Sequence, residues 1–448
     1  MAAPTESALA AHAAYVLRGN DTGTLTTAAP KLYPHQWSWD AAFITMGLST
    51  LSVPRAIAEL DWLLAAQWST GMLPHIVFAP DTDYFPGPDV WVSQRSEHAP
   101  KSVRTSGICQ PPVHAIAVQQ VLAAGRRAGG TARKEAEEFV ARTFDQWLAW
   151  HRWLDRVRDP HDRGLLEIHH GWESGMDNSP RWDAAYAAVL PREKTELRRH
   201  DLAHVEDAAQ RPTDAEYQRY LWLVRQMREA GYDDERVRDV VDFRMVDVFM
   251  SAIMAIASDV LAELGDELGR SAEAAELRET AGRFRRGVLS TVSPETGLAR
   301  DLNVLTGAWV QTETIAGFAP LLSGGDDALV ERQLALLASE RWCGHPELKF
   351  AVPPSTSPCS ADFRPRSYWR GPQWPVVNWL LTWALNRQGA TDLAESIRGE
   401  SLRQLADLAF GEYYEPFTGE ALGSRHQSWT AAVTLGWLSD EPARETHR

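Results

Sequence analysis

The stretch V-F-M-S-A-I-M-A-I-A, Val248–Ala257, is apolar on nearly every side of the helix that it would form. A helix of that kind is buried inside a fold, and the run is far too short to span a bilayer. The segment at 375–384 has the same character, whereas the segments at 134–155 and 391–408 are charged and amphipathic. Buried and half-buried helices that alternate along one chain predict two concentric rings of helices, an all-α fold of the α/α-barrel type.

Most of the remaining chain is also predicted to be helical. No repeat of fixed period is present, which disfavours the alternative of a two-layer helical solenoid. Length alone suggests two or three domains, but barrels can run long as one unit, so we expect 1–448 to form a single domain. Short extended pieces are expected at Leu165–His169 and Lys349–Val352. Hydrophobic periodicity and helix-end signals predict helices at 5–18, 38–48, 53–68, 112–127, 134–155, 213–231, 244–265, 272–291, 326–339, 373–388, 391–408 and 427–438.

The charge and the cysteine content exclude several classes of function. The formal net charge of −15 argues against a nucleic-acid partner, because phosphate binding needs a cationic face, and against a basic membrane-binding patch. An anionic substrate would therefore need a local arginine. Three cysteines without a C-x-x-C pair predict neither a disulfide framework nor a zinc site. With an N-terminal segment that lacks a signal-peptide pattern, they predict reduced thiols and a cytoplasmic protein.

The segment G-W-E-S-G-M-D-N-S-P-R-W-D, Gly171–Asp183, carries the strongest chemical signal in the chain. Its Gly, Asn, Ser and Pro residues predict a loop. Of its three carboxylates, Glu173 and Asp177 stand between Trp172 and Trp182, and Asp183 directly follows Trp182. Desolvation beside indole rings raises the pKa of a carboxyl group, and a group protonated near neutral pH can act as a general acid. Indole faces also stack on sugar rings. The segment predicts a site that protonates a glycosidic oxygen; the alternative is a tryptophan-rich turn with helix-capping acids.

A second acidic segment, F-G-E-Y-Y-E-P-F-T-G at Phe410–Gly419, offers the partner carboxylate. Two carboxyl groups across a sugar are the apparatus of glycoside hydrolysis, in which one protonates the leaving oxygen and the other attacks or deprotonates a water. Their separation decides between retention and inversion, and the sequence does not fix it. Glu412 and Glu415 are both candidates, and a solvated pair of loop acids is the alternative.

The chain resembles glycoside hydrolase family 63, which is also related to the trehalases. The segment around Asp177 is similar to the acid motif of the family, and the segment around Glu412 is similar to its base motif. Within the family the likeness is greatest to bacterial enzymes for glucosylglycerate, neighbours of those for mannosylglycerate. The resemblance covers essentially the whole chain. Further motifs occur in the family's order: L-Y-P-H-Q-W-S-W-D (Leu32–Asp40), Y-F-P-G-P (Tyr84–Pro88), S-G-I-C-Q-P-P (Ser106–Pro112), Q-R-P-T-D-A-E-Y (Gln210–Tyr217) and Y-W-R-G-P-Q-W-P (Tyr368–Pro375).

The resemblance implies an (α/α)6 barrel and an inverting reaction that needs no cofactor and no metal. Asp177 would be the general acid, and Glu412, the first glutamate of E-Y-Y, would be the general base. Inversion would require carboxyl groups roughly 6.5–9.5 Å apart. Residues that would bind the glycosyl unit or line its pocket are Trp37, Trp39, Asp40, Gln110, Trp172, Tyr368, Trp369 and Trp374. Residues that would bind the glycerate carboxylate are Tyr33, Tyr84, Arg211 and Tyr217.

The assignment of Arg211 also has a motive in its chemistry, because a guanidinium matches a carboxylate in shape and charge. The alternative for Arg211 is a salt bridge at a helix start, since Thr213 and Glu216 form a capping-box pattern. Two other functions stay open. A hydrolase of a neutral short α-glucoside would have no use for this cation, and a non-catalytic carbohydrate-binding protein would not need two opposed acids.

Several smaller questions complete the sequence-based expectations. The loops at Asp81–Ser93 and Lys194–Gln210 are predicted to be lids over the site. Neither His169–His170 nor Asp233–Glu235 has the spacing of a metal site. The preference between glucose and mannose, and the oligomeric state, with a homo-oligomer among the options, are not fixed by the sequence.

Overall fold

The computed structural model describes residues 4–80, 82–203 and 207–439. Its strands are all two residues long: β1 (Gln36–Trp37), β2 (Ile76–Val77), β3 (Glu167–Ile168), β4 (Met245–Val246), β5 (Leu302–Asn303), β6 (Tyr413–Tyr414) and β7 (Ala421–Leu422). The α-helices within these ranges are α1 (Glu6–Asn20), α2 (Ser38–Leu51), α3 (Val53–Ala65), α4 (Pro88–Trp91), α5 (His114–Ala128), α6 (Gly130–Trp153), α7 (Asp183–Ala188), α8 (Asp214–Glu229), α9 (Asp234–Val240), α10 (Val248–Glu267), α11 (Ser271–Ser290), α12 (Ala319–Ser323), α13 (Asp327–Ala338), α14 (Pro375–Arg387), α15 (Thr391–Gln404) and α16 (Ser428–Ser439).

Twelve of these helices form two concentric rings. In the inner ring, α2, α5, α10, α12, α14 and α16 each pack against the next, and α16 closes the circle against α2. In the outer ring, α3, α6, α11, α13 and α15 each cover the inner helix that precedes them in the chain, and α1 covers α16. Inner and outer helices alternate along the chain, so the fold is the all-α (α/α)6 barrel that the sequence and the family resemblance predicted.

Two helices and one extended segment differ from the prediction. The sixth inner helix, α12, has only five residues and follows a 3-10 turn at Ile315–Phe318; the sequence analysis did not include it, because its proline and flanking glycines hide the helical period. Conversely, the predicted helix at 213–231 corresponds to α8, which lies outside both rings and packs on α4 and α9. The extended piece expected at Lys349–Val352 was wrong, because those residues contain no strand.

The inner ring is held by close contacts between apolar helices. All ten residues of Val248–Ala257 are buried, as predicted. Within the described residues α10 is the one helix long and apolar enough to cross a membrane, but 89% of its most apolar window is buried inside the fold. Helices α2 and α16 meet at Gly47, where an added Cβ would lie 2.4 Å from Cα of Ala432.

The short strands gather where the inner helices begin. Strand β1 runs directly into α2 and pairs antiparallel with β2, β4 precedes α10 in a three-stranded sheet with β3 and β5, and the β6–β7 hairpin precedes α16. Tyr413 pairs with Leu422 and Trp37 pairs with Ile76 in these ladders. The loops that contain the acid and base motifs therefore meet at one end of the barrel, the N-terminal end of the inner ring.

Candidate active site

A cavity opens at this end of the barrel. Twelve of the fourteen residues that the sequence and the family resemblance predicted for the site line it: Tyr33, Trp37, Trp39, Asp40, Tyr84, Gln110, Trp172, Asp177, Arg211, Tyr217, Tyr368 and Glu412. Its other lining residues were not predicted: Leu32, His75, Ile76, Phe85, Pro86, Gly175, Asp201, Pro212, Gln427 and Trp429.

Asp177 is the carboxyl group of the Gly171–Asp183 segment that faces the cavity. Burial raises its pKa to about 8, the charge of Glu412 adds to the rise, and the Arg211 guanidinium opposes it. The carboxyl group is therefore mostly protonated at neutral pH, which is the state of a general acid. The loop is held by Met176, whose carbonyl oxygen accepts hydrogen bonds from the Trp182 Nε1–H at 3.1 Å and from the Ser179 N–H at 3.1 Å.

The other two acids of that segment have structural partners. Glu173 is fully buried and forms an ion pair with Arg158 at 2.5 Å, and it also accepts the backbone N–H of His169 at 2.6 Å. Asp183 is half exposed and is paired with Arg370. Neither lines the cavity, so Asp177 is the acid of this segment that a substrate can reach.

Glu412 lies in a cluster of hydrogen-bond donors. Its Oε1 accepts the hydroxyls of Tyr33 at 2.8 Å and Tyr368 at 2.9 Å, while its Oε2 accepts Nη2 of Arg211 at 3.1 Å and the N–H of Ser424 at 3.2 Å. Four donors stabilise the ionised carboxylate, which is the state of a general base. An added Cβ at Gly423 would lie 2.4 Å from Glu412 Oε2, so the hairpin leaves no space beside this carboxylate.

Glu415 has a different role from Glu412. Its Oε2 accepts the backbone N–H of Phe417 at 3.0 Å and the Thr418 hydroxyl at 2.6 Å, and it does not line the cavity. Glu415 therefore shapes the turn of the β6–β7 hairpin, and Glu412 is the acid of the Phe410–Gly419 segment that faces a substrate.

Arg211 is a cation of the cavity wall whose charge acts on both carboxyl groups. Its Nη1 donates to the Tyr33 hydroxyl at 2.8 Å, and its guanidinium stacks over the ring of Tyr368 at 4.6 Å. Its Nε is buried without a hydrogen-bond partner, and of the five N–H donors of a guanidinium, Tyr33 and Glu412 accept two, one from each Nη. The capping box of Thr213 and Glu216 is present at the start of α8, but Arg211 is paired with Glu412 and not with Glu216. Arg211 and Tyr33, predicted to bind glycerate, also hold Glu412.

Asp40 adds a third carboxyl group to the cavity. Burial raises its pKa well above the usual range, and the charges of Glu412 and Asp177 raise it further. Close by, Gln110 Oε1 accepts the backbone N–H of Trp39 at 3.2 Å. A Cβ on Gly175 would lie 2.6 Å from the indole of Trp39. Because glycine has no side chain, the acid segment can pack directly against the start of α2.

Two predicted pocket residues, Trp369 and Trp374, are not among the residues that line the cavity. Their indoles are buried and stack in parallel at 3.6 Å, and Trp369 packs beside Trp39 while Trp374 packs beside Tyr368. They form a layer behind the wall and support the side chains that face the substrate.

Three unpredicted lining residues have polar or aromatic groups that a sugar could contact. His75 is kept neutral, because burial and the nearby His170 lower its pKa well below the usual range, and its ring stacks on Trp172. Gln427 and Trp429 come from the start of α16. The sequence signal available for Gln427 and Trp429 was an amide and an indole close together at a helix start. The segment L-P-H-I, Leu73–Ile76, contains no pattern that would have marked His75.

Parts of both predicted lids contribute to the cavity. Tyr84, Phe85 and Pro86 come from the loop at 81–93, and Asp201 comes from the loop at 194–210. Asp81 and residues 204–206 lie outside the described residues, and closure of either loop stays a prediction. Among the residues that the structure describes, no group of three or more His, Cys, Asp or Glu could hold a metal ion, and the expected lack of a cofactor also stays a prediction.

Comparison with known proteins identifies the family. The family model of the mannosylglycerate hydrolase MGH1-like glycoside hydrolase domain matches residues 33–430. A glucosylglycerate hydrolase from Mycolicibacterium hassiacum is 55% identical over 97% of this chain and 98% of that protein. The crystal structure of a GH63 mannosylglycerate hydrolase from Thermus thermophilus, in complex with Tris and D-glycerate, matches with a TM-score of 0.88 and 37% identity over 96% of this chain and 99% of that one.

The chain belongs to glycoside hydrolase family 63. It is therefore a glycoside hydrolase, and the resemblance found in its motifs is confirmed. The link to the trehalases is one of fold: the neutral trehalase Nth1 from Saccharomyces cerevisiae shares 13% identity, with a TM-score of 0.54 over 96% of this chain and 80% of that one.

Proposed function

We propose that this family 63 enzyme hydrolyses 2-O-α-glucosylglycerate to glucose and glycerate with inversion at the anomeric carbon. The observation that carries the proposal is that two carboxyl groups in one cavity have different surroundings: Asp177 is desolvated, and Glu412 accepts several hydrogen bonds. Asp177 has a pKa of about 8, whereas Glu412 is surrounded by four donors that favour its ionised form. Two carboxyl groups whose environments favour different protonation states supply the acid and the base of such a reaction.

In the proposed single step, Asp177 gives its proton to the oxygen that bridges the sugar and glycerate. The bond between that oxygen and the anomeric carbon breaks as a water attacks from the opposite face, and Glu412 takes a proton from the water. Glycerate leaves with the proton of Asp177, and the sugar keeps the hydroxyl of the water. The two carboxyl groups exchange protonation states and return to the starting ones through solvent.

The glycerate part of the proposal rests on Arg211 and on the relatives. Arg211 lines the cavity together with Tyr84 and Tyr217, and an anion in this acidic chain needs such a cation. The relative at 55% identity is a glucosylglycerate hydrolase, which favours glucose over mannose. Mannosylglycerate is a second candidate substrate, because a relative from Rubrobacter radiotolerans at 37% identity is a mannosylglycerate hydrolase. We also propose a cytoplasmic location, with which the unpaired Cys109, Cys343 and Cys359 agree.

The test combines product analysis with matched variants. Proton NMR of the first turnovers should show β-glucose before mutarotation. Asp177→Asn and Glu412→Gln should each lower kcat on the order of 10²–10⁴-fold with an unchanged circular dichroism spectrum, while the matched controls Asp183→Asn and Glu415→Gln should retain most of the activity.

Initial release of α-glucose would contradict inversion, and nearly full activity in either cavity variant would contradict the role of that residue. A neutral α-glucoside that is cleaved better than both glycosylglycerates would show that the alternative substrate class is the right one.

A further inference from the structure

Asp201 lies in the wall of the cavity and has no role in the chemistry above. Its charge acts on the two phenols at the proposed glycerate end. Burial raises the pKa of Tyr217, and the charge of Asp201 adds to that rise. The pKa of Tyr84 is raised by burial, by Tyr217 and by Asp201. A carboxylate beside the binding place of another carboxylate would repel the substrate. Its presence there needs an explanation in the contacts that it makes.

Arg199 neutralises Asp201. Its Nε donates to Oδ1 of Asp201 at 2.8 Å and its Nη2 donates to Oδ2 at 2.8 Å, so the pair is bidentate. Only 9% of the Arg199 side chain and 13% of the Asp201 side chain are exposed. A bidentate pair with little exposure is stronger and geometrically more defined than a surface ion pair.

Arg199 also fixes this pair to the start of α8. It donates to the carbonyl oxygen of Pro212 at 2.8 Å and to Asp214 at 2.8 Å, and its guanidinium stacks over the ring of Tyr217 at 4.0 Å. The position of Asp201 is therefore set by the same element that carries Tyr217.

The neutralised carboxylate keeps the capacity to accept hydrogen bonds. An ionised carboxylate has about four lone-pair sites and donates none, and Arg199 uses one site on each oxygen. Such a group suits a hydroxyl donor and cannot bind an anion. Glycerate that is glycosylated at O2 carries one hydroxyl, at C3, next to the carboxylate that Arg211 would hold.

We propose that Asp201 accepts a hydrogen bond from the free hydroxyl of the glycerate unit, with Arg199 as the residue that positions Asp201 and neutralises its charge. The proposal rests on the proposed function and names a specificity determinant within it. The pair selects leaving groups that carry a hydroxyl over deoxy analogues, and it prevents a bare carboxylate from repelling the substrate.

The first measurement is the ratio of kcat/KM for 2-O-α-glucosylglycerate to kcat/KM for 2-O-α-glucosyl-lactate, which has a methyl group in place of the CH₂OH. The wild-type ratio should be on the order of 10- to 100-fold, as expected for a hydrogen bond to a charged acceptor. Asp201→Ala should bring the ratio close to one. The control Asp214→Ala, which removes a partner of Arg199 that is 73% exposed, should keep the wild-type ratio.

The second measurement separates charge neutralisation from a merely structural tether. Arg199→Ala leaves Asp201 unpaired and should raise KM for glucosylglycerate about tenfold or more, and the double change Arg199→Ala with Asp201→Ala should return KM most of the way. If Arg199 and Asp201 served only to hold the loop in place, removing Asp201 as well would not lower the KM that Arg199→Ala had raised.

The outcomes are distinguishable from failure of the proposed function. If wild-type enzyme does not cleave glucosylglycerate, the proposed function is wrong. If wild type cleaves both substrates equally, or if Asp201→Ala keeps the high ratio, the role of Asp201 is wrong and the function stands. Should Asp201→Ala not fold, Asp201→Leu in the same assay and the wild-type ratio still decide, since a ratio near one in wild type overturns the proposal.

Discussion

Replacing Asp177 by Asn removes an ionisable carboxyl group whose deprotonation lowers the free energy of unfolding as the pH rises. The pKa of Asp177 is about 8 in the folded protein, where burial raises it from the ordinary 3.8. A carboxyl group with a raised folded-state pKa stabilises the fold fully below its unfolded pKa and loses that contribution as pH rises to the folded pKa. Because the amide of Asp177→Asn does not ionise, the variant avoids this loss.

The magnitude follows from the pKa difference. Between pH 3.8 and pH 8, each pH unit lowers the stability of the wild type relative to the variant by up to about 1.36 kcal/mol. From pH 5 to pH 8 the free energy of unfolding of the variant should therefore gain on wild type by up to ~4 kcal/mol. At about 2.1 cal/mol/K per residue, this is roughly 4 °C in Tm for a chain of 448 residues. Relaxation of the cavity makes these values upper bounds.

The assay is a series of thermal melts of both proteins between pH 5 and pH 9 in one buffer system at constant ionic strength. The difference in Tm should grow from pH 5 to pH 8 and level off above pH 8. Asp183→Asn is the matched control, because Asp183 lies in the same segment but is paired with Arg370 outside the cavity, and it should show no such gain. A difference in Tm that stays flat from pH 5 to pH 8 would refute the argument that Asp177 is protonated in the fold.

Three further changes have expected outcomes of different kinds. Arg211→Met should move the basic limb of the pH profile of kcat/KM above about 8. In the wild type the charge of Arg211 lowers the pKa of Asp177, so removal of that charge raises the pKa; a limb that moves to lower pH would contradict this. Gly423→Ala should lower kcat on the order of 10- to 100-fold, because the added Cβ would lie 2.4 Å from Oε2 of Glu412 and the backbone φ of +68° strains an L-residue; steady-state kinetics with intact circular dichroism tests it. Gly47→Ala should lower the free energy of unfolding by ~1–3 kcal/mol and leave the pH profile unchanged, because the added methyl group crowds α2 against Ala432 of α16 and introduces no charge; denaturant titration measures the change in stability.

The sequence predicted the architecture because hydrophobic periodicity survives in long helices. Eleven of the twelve predicted helices belong to the rings, and the alternation of buried and covered helices was visible in segments such as Val248–Ala257. The one ring helix that was missed, α12, has five residues between glycines at 317 and 324. A helix of one turn has no measurable period, so only the closure of the ring reveals it.

The sequence and the family resemblance also predicted which residues meet, but not how they contact each other. The prediction assigned Arg211 and Tyr33 to glycerate, whereas both also contact Glu412, at 3.1 and 2.8 Å. Which side chain faces the cavity and which supports it from behind, as Trp374 does, depends on packing between segments that are far apart in the chain. No local pattern contains that information, and the same holds for Asp201, whose loop lacks a recognisable motif.

The charges of the cavity explain how an acidic enzyme would bind and cleave the proposed anionic substrate. Below about pH 8 Asp177 is mostly protonated, and the pKa of Asp40 is raised well above its usual range. The other two carboxyl groups of the wall each have a cation: Arg211 pairs with Glu412 at 3.1 Å, and Arg199 pairs with Asp201 at 2.8 Å. A bound glycerate carboxylate would add one negative charge near Asp177, which raises the pKa of that group further. The charge of the proposed substrate therefore favours the protonated acid that cleavage of its own glycosidic bond requires, and a neutral glucoside has no such effect.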